Sequence, residues 1–172
     1  GTGFNIAAVA DRVPRLSKVY LVDLSTSLLQ VARKRFDEKG WSHVRTEEAD
    51  ATTFTPEEGS ADVVTFSYSL TMIPDWFAVM AIEDVRLGQR SFRVVDFYVA
   101  RKFPAERRAK HGWFTRSFWP VWFAGDNVFP SPDHLPFLDR HFETVTCTEA
   151  KGKVPYIPLI RMPYYRYVGR KS

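Results

Sequence analysis

The stretch KVYLVDLSTSLLQVARKRFDEKG, residues Lys18 to Gly40, decides the fold of this 172-residue chain. Its apolar start, ending at Asp23, predicts a strand, and Ser25 then predicts the N-cap of a helix that stops at Gly40. Within that helix, apolar residues recur at helical spacing: Leu28, Leu29, Ala32 and Phe36. A strand that leads directly into an amphipathic helix is the repeating unit of α/β folds with a parallel sheet.

The residues before this unit form a glycine-rich turn, GTGFNIAAVADRV, with a helix predicted over Asn5–Asp11 and a break at Pro14. Glycines allow a close backbone approach to a ligand, and free N–H groups at a helix N-terminus favour anions. We therefore predict that Gly1, Thr2 and Gly3 bind a cofactor. Such a turn normally follows a strand, so we expect the first strand of the sheet to be missing and the chain to be truncated at its N-terminus.

The residues after Gly40 continue the alternation of strands and helices. We predict a strand ending near Asp50, another over Val63–Phe66, a helix started by Pro74 and Asp75, and a buried parallel strand over Phe92–Val99. The last two strands, 141–150 and 163–169, flank a Pro-containing connection too short for a crossover helix, which favours antiparallel pairing.

These elements predict an α/β fold with a Rossmann-like doubly wound sheet. The sheet is expected to be mostly parallel, with an antiparallel C-terminal strand and without its first strand. One domain is expected over residues 1–172, with an aromatic and basic helical insertion at about 101–140.

The composition limits the classes of partner. Lys and Arg number 24 against 20 Asp and Glu, a mild positive charge of +4, and no recognisable nucleic-acid-binding module accompanies it. We therefore predict no nucleic-acid partner. The single cysteine and the lack of a leader favour a reducing, cytosol-facing environment, and the lack of a long apolar run limits any membrane contact to a peripheral one.

Four positions after predicted strands carry the candidate cofactor site, because ligands of such sheets sit outside the carboxyl ends of the strands. Asp23, followed by Leu24, comes twenty residues after Gly3, a spacing typical of a carboxylate that binds ribose hydroxyls; a helix-capping role for Asp23 is the alternative. Ile6 stands where a dinucleotide fingerprint needs glycine or alanine, which argues against NAD. The remaining candidates are Asp50 and Ala51 for an adenine, and Ser67 and Tyr68 for the reactive end of the ligand.

This ordered set resembles the class I S-adenosylmethionine-dependent methyltransferases. More closely, the chain resembles the methyltransferase half of fungal betaine lipid synthase, through residues 19–36, 62–77, 94–104, 113–136 and 152–169. The resemblance implies S-adenosyl-L-methionine as cofactor, with its methionine part at the glycine loop, its ribose at Asp23 and its adenine at Asp50. The chain departs from the family between Ala81 and Val94, where its connection is shorter and lacks the family's Lys-Pro-Gly-Gly type turn.

The implied reaction is trimethylation of the amine of diacylglycerylhomoserine, which gives diacylglyceryltrimethylhomoserine. The implied partner is the homoserine-transferring half, fused or separate, and the implied location is the cytosolic face of the endoplasmic reticulum membrane. Three alternatives stay open: a methyltransferase of the same fold acting on another small amine, one acting on a quinone, and an inactive membrane-associating remnant.

The acceptor side is less determined by spacing. An amine must lose its proton before it attacks, and Tyr68 and His111 are our catalytic candidates, with Asp75, Asp126 and His134 as further bases. Tyr68, Trp113 and Trp119 are candidates for an aromatic cage around the methylated cation, unless these rings are ordinary core. A third use of the insertion is docking on anionic lipid, with these basic residues at the headgroups: Arg101, Lys102, Arg107, Arg108, Lys110 and Arg116.

Overall fold

The structure is a computed structural model, and it describes residues 1–80, 91–154 and 157–171. These residues divide into two compact units, Gly1–Gly59 and Ser60–Ser172. Each unit is described by itself, and the single domain expected over the whole chain stays a prediction.

The first unit is built on a parallel pair of strands with a helix between them. Strand β1 (Val19–Asp23) leads into α2 (Thr26–Glu38) and then into β2 (Val44–Glu48), and the two strands pair from Val19 opposite Val44 to Asp23 opposite Glu48. The strand and helix predicted from residues 18–40 are thereby confirmed. The first helix, α1 (Phe4–Ala7), is shorter than predicted and is followed by turns and a 3-10 turn at Val13–Arg15.

The apolar face of α2 forms the core of the first unit. Ala32 and Phe36 pack with Val13, Trp41 and Val44, all of them buried. The predicted cap is confirmed, since the Ser25 hydroxyl accepts a hydrogen bond from the Leu28 N–H at 3.4 Å. Leu28 itself is exposed, so the buried stripe of α2 is narrower than its apolar residues suggested.

The second unit contains a mixed sheet of four strands: β3 (Val63–Ser67), β4 (Ser91–Phe97), β5 (Glu143–Val154) and β6 (Ile157–Arg170). Their order in the sheet is β3-β4-β6-β5. Strands β3 and β4 are parallel, whereas β4–β6 and β5–β6 are antiparallel. The prediction of parallel pairs followed by an antiparallel C-terminal pair is confirmed. The predicted parallel strand over Phe92–Val99 is confirmed by its pairing with β3, and its second edge pairs antiparallel with β6.

The connection predicted between the last two strands is largely strand. Strand β5 (Glu143–Val154) and β6 extend through it, with Lys151 opposite Pro163 and Lys153 opposite Arg161. Pro163, the first residue of the last predicted strand, lies within β6, and its carbonyl accepts a hydrogen bond from the Tyr98 N–H at 3.2 Å.

The segment predicted as an insertion contains the helix α3 (Trp113–Ala124), and α4 (His134–His141) begins within its last residues. Residues 76–80 are helical as predicted, with Asp75 accepting the Ala78 N–H at 3.2 Å, and a 3-10 turn covers Leu70–Met72. The shortened connection between Ala81 and Val94 falls mostly on residues 81–90, outside the described residues. Within the described ranges, no helix is both long enough and apolar enough to cross a bilayer.

Candidate functional site

Two carboxylates lie at the carboxyl edge of the β1–β2 pair. Asp23 is the last residue of β1 and stands opposite Glu48, the last residue of β2, and its carbonyl accepts the Ala49 N–H at 3.3 Å. Asp50 follows two residues after β2. Because the strands are parallel and in register, both predicted nucleoside-binding acids lie at one edge of the first unit.

The Asp23 carboxylate has a partner on each oxygen. Oδ1 accepts the Ser25 N–H at 2.8 Å, and Oδ2 contacts the amino group of Gly1. The first bond fixes the turn into α2, whose N-cap is Ser25, so the helix-capping alternative for Asp23 is wrong. A carboxylate offers about four acceptor positions, so this bond leaves room for ribose hydroxyls, and the side chain is 26% exposed.

The glycine turn is held against α2. Gly3 has a φ of +69°, and a Cβ at this position would lie 2.5 Å from the Phe36 ring. The Thr2 carbonyl accepts a hydrogen bond from the Arg35 guanidinium. Gly3 is therefore required by its backbone conformation and by packing on Phe36, a reason that the sequence analysis missed when it invoked only access to a ligand.

Asp50 is prepared as an anionic acceptor. Its Oδ1 accepts both the Thr52 N–H and the Thr52 hydroxyl at 2.8 Å, and these bonds lower the pKa of the carboxyl. Since both bonds fall on Oδ1, Oδ2 can accept from a ligand amino group. Ala51 beside it is half-buried, and Leu24 is exposed. The acceptors of this edge fit the donors of an adenosine, with Asp23 for the ribose hydroxyls and Asp50 for the adenine amino group.

Ser67 and Tyr68 belong to the second unit, at the end of β3. Ser67 stands opposite Val95, and Tyr68 adopts a left-handed φ of 51° while its N–H donates to the Val95 carbonyl at 2.7 Å. The Tyr68 ring lies 4.8 Å from that of Phe97 and is 41% exposed. Burial raises the pKa of Tyr68, so the phenol keeps its proton at neutral pH. This favours a binding role for the ring over proton removal.

His111 is oriented by the backbone after β4. Its Nδ1 accepts the Ala100 N–H at 2.9 Å, and its ring lies 5.0 Å from Tyr98. Burial lowers the pKa of His111, so the neutral ring carries its one proton on Nε2. The ring therefore presents a donor, not an acceptor, on its other side. Tyr68 packs on Phe97 and His111 on Tyr98, and the structure does not bring the two catalytic candidates into contact.

The sequence analysis missed Asp96, a fully buried carboxylate in β4. It accepts the Thr71 hydroxyl at 2.8 Å, the Thr71 N–H at 3.3 Å and the Phe97 N–H at 2.7 Å. Burial raises its pKa to about 6. The Thr71 carbonyl in turn accepts the Phe129 N–H at 2.7 Å, so Asp96 anchors the turn that follows Tyr68. The sequence does mark Asp96 as unusual, because it is the one acid in the apolar run FRVVDFYV.

His134, a further candidate base, lies in the core of the second unit. It is 1% exposed, its ring meets Trp76 edge-on at 4.6 Å, and neither ring nitrogen has a hydrogen-bond partner among the described residues. Burial lowers its pKa to about 4. The centroid of the Tyr165 ring lies 6.1 Å from that of His134. The Tyr165 hydroxyl is likewise buried without a hydrogen-bond partner among the described residues.

The aromatic cluster divides between the two faces of α3. Trp119 is 2% exposed and packs with Val99 and Met162, whereas Trp113 is 74% exposed. The prediction of Trp119 as a cage residue is therefore wrong. Trp119 lies six positions after Trp113, on the opposite face of the helix, so its ring points into the core. Phe118 stacks between Phe114 and Trp122, four positions away on either side, and the three rings form one apolar face.

Two of the basic residues expected at lipid headgroups are held by acids. Arg101 pairs with Asp133 at 2.6 Å, and Arg108 pairs with Asp139. Arg116 is half-buried. Lys102, Arg107 and Lys110 are exposed.

Comparison with known proteins identifies the family. The sequence model of a methyltransferase domain matches residues 1–95. Over 95 residues the chain is 29% identical to demethylmenaquinone methyltransferase of Anoxybacillus flavithermus, a match that covers 55% of this chain and 40% of that enzyme. The match thus spans less than half of the length of this relative.

Two solved structures share the fold. Geranyl diphosphate C-methyltransferase of Streptomyces coelicolor, in complex with Mg²⁺, geranyl diphosphate and S-adenosyl-L-homocysteine, has a TM-score of 0.74 at 14% identity, over 100% of this chain and 68% of its own. The N-methyltransferase NodS of Bradyrhizobium japonicum, in complex with S-adenosyl-L-homocysteine, has a TM-score of 0.66 at 12% identity, over 96% and 72%. With its Rossmann-like fold and a family match over more than half of its length, the chain belongs to the methyltransferase domain family, as a class I S-adenosylmethionine-dependent methyltransferase.

Proposed function

We propose that the chain is an N-methyltransferase of betaine lipid synthesis that transfers three methyl groups from S-adenosyl-L-methionine to the amine of diacylglycerylhomoserine. The observation that carries the cofactor part is the pair of carboxylates, Asp23 and Asp50, at one edge of β1 and β2 beside the glycine turn. The acceptor part is supported by the stretches shared with betaine lipid synthase. The methyl transfer is proposed to take place at the cytosolic face of the endoplasmic reticulum membrane, with the homoserine-transferring half as partner.

Each cofactor residue has a separate task in this proposal. Asp23 accepts the two ribose hydroxyls in place of the Gly1 amino group, and Asp50 Oδ2 accepts the adenine amino group. Leu24 and Ala51 cover the nucleoside, and Gly1, Thr2 and Gly3 lie along the methionine part. Ser67, at the end of β3 in the second unit, stays a prediction from its position after a strand.

The bound cofactor supplies an electrophilic methyl group on a sulfonium, so the protein has to orient the amine and exclude water. Tyr68 suits the first task, because its face is partly open and its hydroxyl stays protonated. An aromatic face attracts a methylated ammonium by roughly 0.5–2 kcal/mol. His111 is proposed as a positioning residue, which fixes the backbone after β4 through its bond to the Ala100 N–H. The proton of the amine leaves before attack, and solvent is its proposed destination.

Calorimetric titration with S-adenosyl-L-methionine tests the cofactor part. The unmutated chain is expected to bind, and Asp23→Ala to weaken binding about 10- to 100-fold, because a hydrogen bond to a charged group contributes about 1.5–3 kcal/mol. Asp37→Asn, an exposed acid on α2, is the matched control and should bind normally. If the unmutated chain binds no cofactor, the inactive remnant is the better description.

A methyl-transfer assay tests the acceptor. Diacylglycerylhomoserine in detergent micelles is expected to gain one, two and then three methyl groups by mass spectrometry. The second candidate is C-methylation of a quinone, which the match to demethylmenaquinone methyltransferase specifically favours. Demethylmenaquinol in the same micelles is therefore the competing acceptor, and preferential methylation of it would replace the betaine lipid proposal.

A further inference from the structure

The outward face of α3 is a continuous apolar surface. Trp113, Phe114, Val121 and Trp122 are 74%, 63%, 78% and 50% exposed, and together with Ser117 and Phe118 they line a shallow groove of about 320 Å³. These positions share one side of the helix, since they form three adjacent pairs, 113/114, 117/118 and 121/122, that follow one another at a spacing of four residues. Four exposed large side chains on one helix face form a patch of the kind that marks an interaction site.

The opposite face of α3 is already used. Trp119 is buried with Val99 and Met162, and Phe123 stacks on Phe97 at 5.9 Å. Helix α3 is thus apolar on both sides, but other residues of the second unit cover only the side that carries Trp119 and Phe123. A helix that is apolar all round needs a second apolar environment.

Positive charge accompanies this face. Residues 101–124 contain six basic residues and a single acid, Glu106. Arg101 and Arg108 are neutralised by Asp133 and Asp139, whereas these three residues before the helix are exposed: Lys102, Arg107 and Lys110. Next to Lys102, the ring of Phe103 is 82% exposed, and the Lys102 ammonium lies 5.3 Å from its centre. The same segment therefore presents both aromatic rings and cations to solvent.

We propose that α3 and the segment before it dock on the surface of an anionic lipid bilayer. The rings of Trp113, Phe114 and Trp122 enter the boundary between headgroups and acyl chains, and Lys102, Arg107 and Lys110 meet the anionic headgroups. Charge complementarity selects this occupant, because two copies of a face flanked by positive charge repel each other. The proposal rests on the described residues of the second unit and does not depend on the methyl acceptor.

Vesicle flotation of the full chain tests the proposal. Binding is expected to vesicles of phosphatidylcholine mixed in equal parts with phosphatidylserine, to weaken at high salt, and to be absent with phosphatidylcholine alone. Replacing Lys102, Arg107 and Lys110 together by Glu should weaken binding at least about tenfold, since each basic residue contributes roughly a fivefold gain. The matched control replaces Arg12, Arg15 and Lys34 by Glu, which gives the same net charge with the α3 segment intact.

Two further measurements address the apolar face. Val121→Asp should abolish flotation, whereas Val145→Asp, at an exposed valine of β5, should not. Brominated lipids should quench the fluorescence of the exposed Trp113 and Trp122 while sparing the buried Trp41, Trp76 and Trp119.

Three results would overturn the proposal: equal binding to neutral and anionic vesicles at any salt, equal losses in the two charge variants, or self-association that Val121→Asp disrupts without any vesicle binding. None of them bears on the proposed methyltransferase activity, since the cofactor titration uses no lipid.

Discussion

At the scale of single residues, Gly3 shows that packing alone can require glycine at a position of a ligand-binding motif. Its φ of +69° and the 2.5 Å approach of a Cβ to Phe36 both oppose substitution. Gly59 has nearly the same φ, +71°, but a Cβ there meets nothing within 4 Å. The two glycines therefore separate backbone strain from steric overlap.

We expect Gly59→Ala to lower the free energy of unfolding by about 1–2 kcal/mol through backbone strain alone. Gly3→Ala should cost roughly 1–3 kcal/mol more, because Phe36 must shift within a packed core. Urea unfolding followed through Trp41, which packs on Phe36, measures both variants. Equal losses in the two variants would show that Phe36 yields without cost.

Tyr68 gives the prediction for the acceptor side. Tyr68→Phe keeps the aromatic face and removes a hydroxyl that stays protonated, so we expect kcat/KM for the amine to change by less than about threefold. Tyr68→Ala removes the face and should lower kcat/KM by about 2- to 30-fold, mostly through KM. Steady-state methyl transfer measures both. A large loss in Tyr68→Phe would instead assign the chemistry to the hydroxyl.

At the scale of elements, α3 contains two tryptophans in opposite environments. Trp119 is 2% exposed and contributes to the core with Val99 and Met162, whereas Trp122 is half exposed. We expect Trp119→Ala to lower the free energy of unfolding by about 3–5 kcal/mol and Trp122→Ala by less than about 0.5 kcal/mol. Thermal unfolding of both variants tests the assignment of the two faces, and similar losses would contradict it.

The elements also show what the sequence could and could not predict. The strand–helix unit of residues 18–40 was predictable, because the cap at Ser25 and the apolar spacing up to Phe36 are local signals. The full length of the β5–β6 pair was not, since pairing between residues such as Lys153 and Arg161 extends both strands into the Pro-containing connection, against the local preference of proline for loops. The exposure of Trp113 against the burial of Trp119 likewise depends on which face of α3 meets Val99 and Met162.

The candidate site was predictable to a similar extent. Asp23 and Asp50 could be assigned to one edge because parallel strands end together, and the structure places them there. The role of Asp96 could not be derived from spacing, since its partner Thr71 is 25 residues away in the chain. The tautomer of His111 could not be predicted from the sequence either, because it is set by the hydrogen bond from the Ala100 N–H.

At the scale of the whole molecule, the dependence of stability on pH combines two buried groups with opposite signs. The pKa of His134 is lowered from 6.5 to about 4, so the unfolded chain binds its proton first and stability is lost as pH falls from 6.5 to 4. The pKa of Asp96 is raised from 3.8 to about 6, so the folded chain binds its proton first and stability is lost as pH rises from 3.8 to 6.

These two contributions are each about 3 kcal/mol and largely cancel between pH 4 and 6. The cancellation is removed by single substitutions. Asp96→Asn removes the stability that Asp96 contributes at low pH, so stability relative to the unmutated chain should fall by about 3 kcal/mol on acidification from pH 6 to 4. His134→Leu removes the loss caused by His134 and leaves no hydrogen-bond partner behind among the described residues, so relative stability should rise by a similar amount over the same range. Urea unfolding at several pH values measures both difference profiles, in which the exposed acids with lowered pKa, Asp50, Glu57 and Glu58, cancel. Parallel profiles for the two variants would show that His134 and Asp96 do not titrate in these opposite directions.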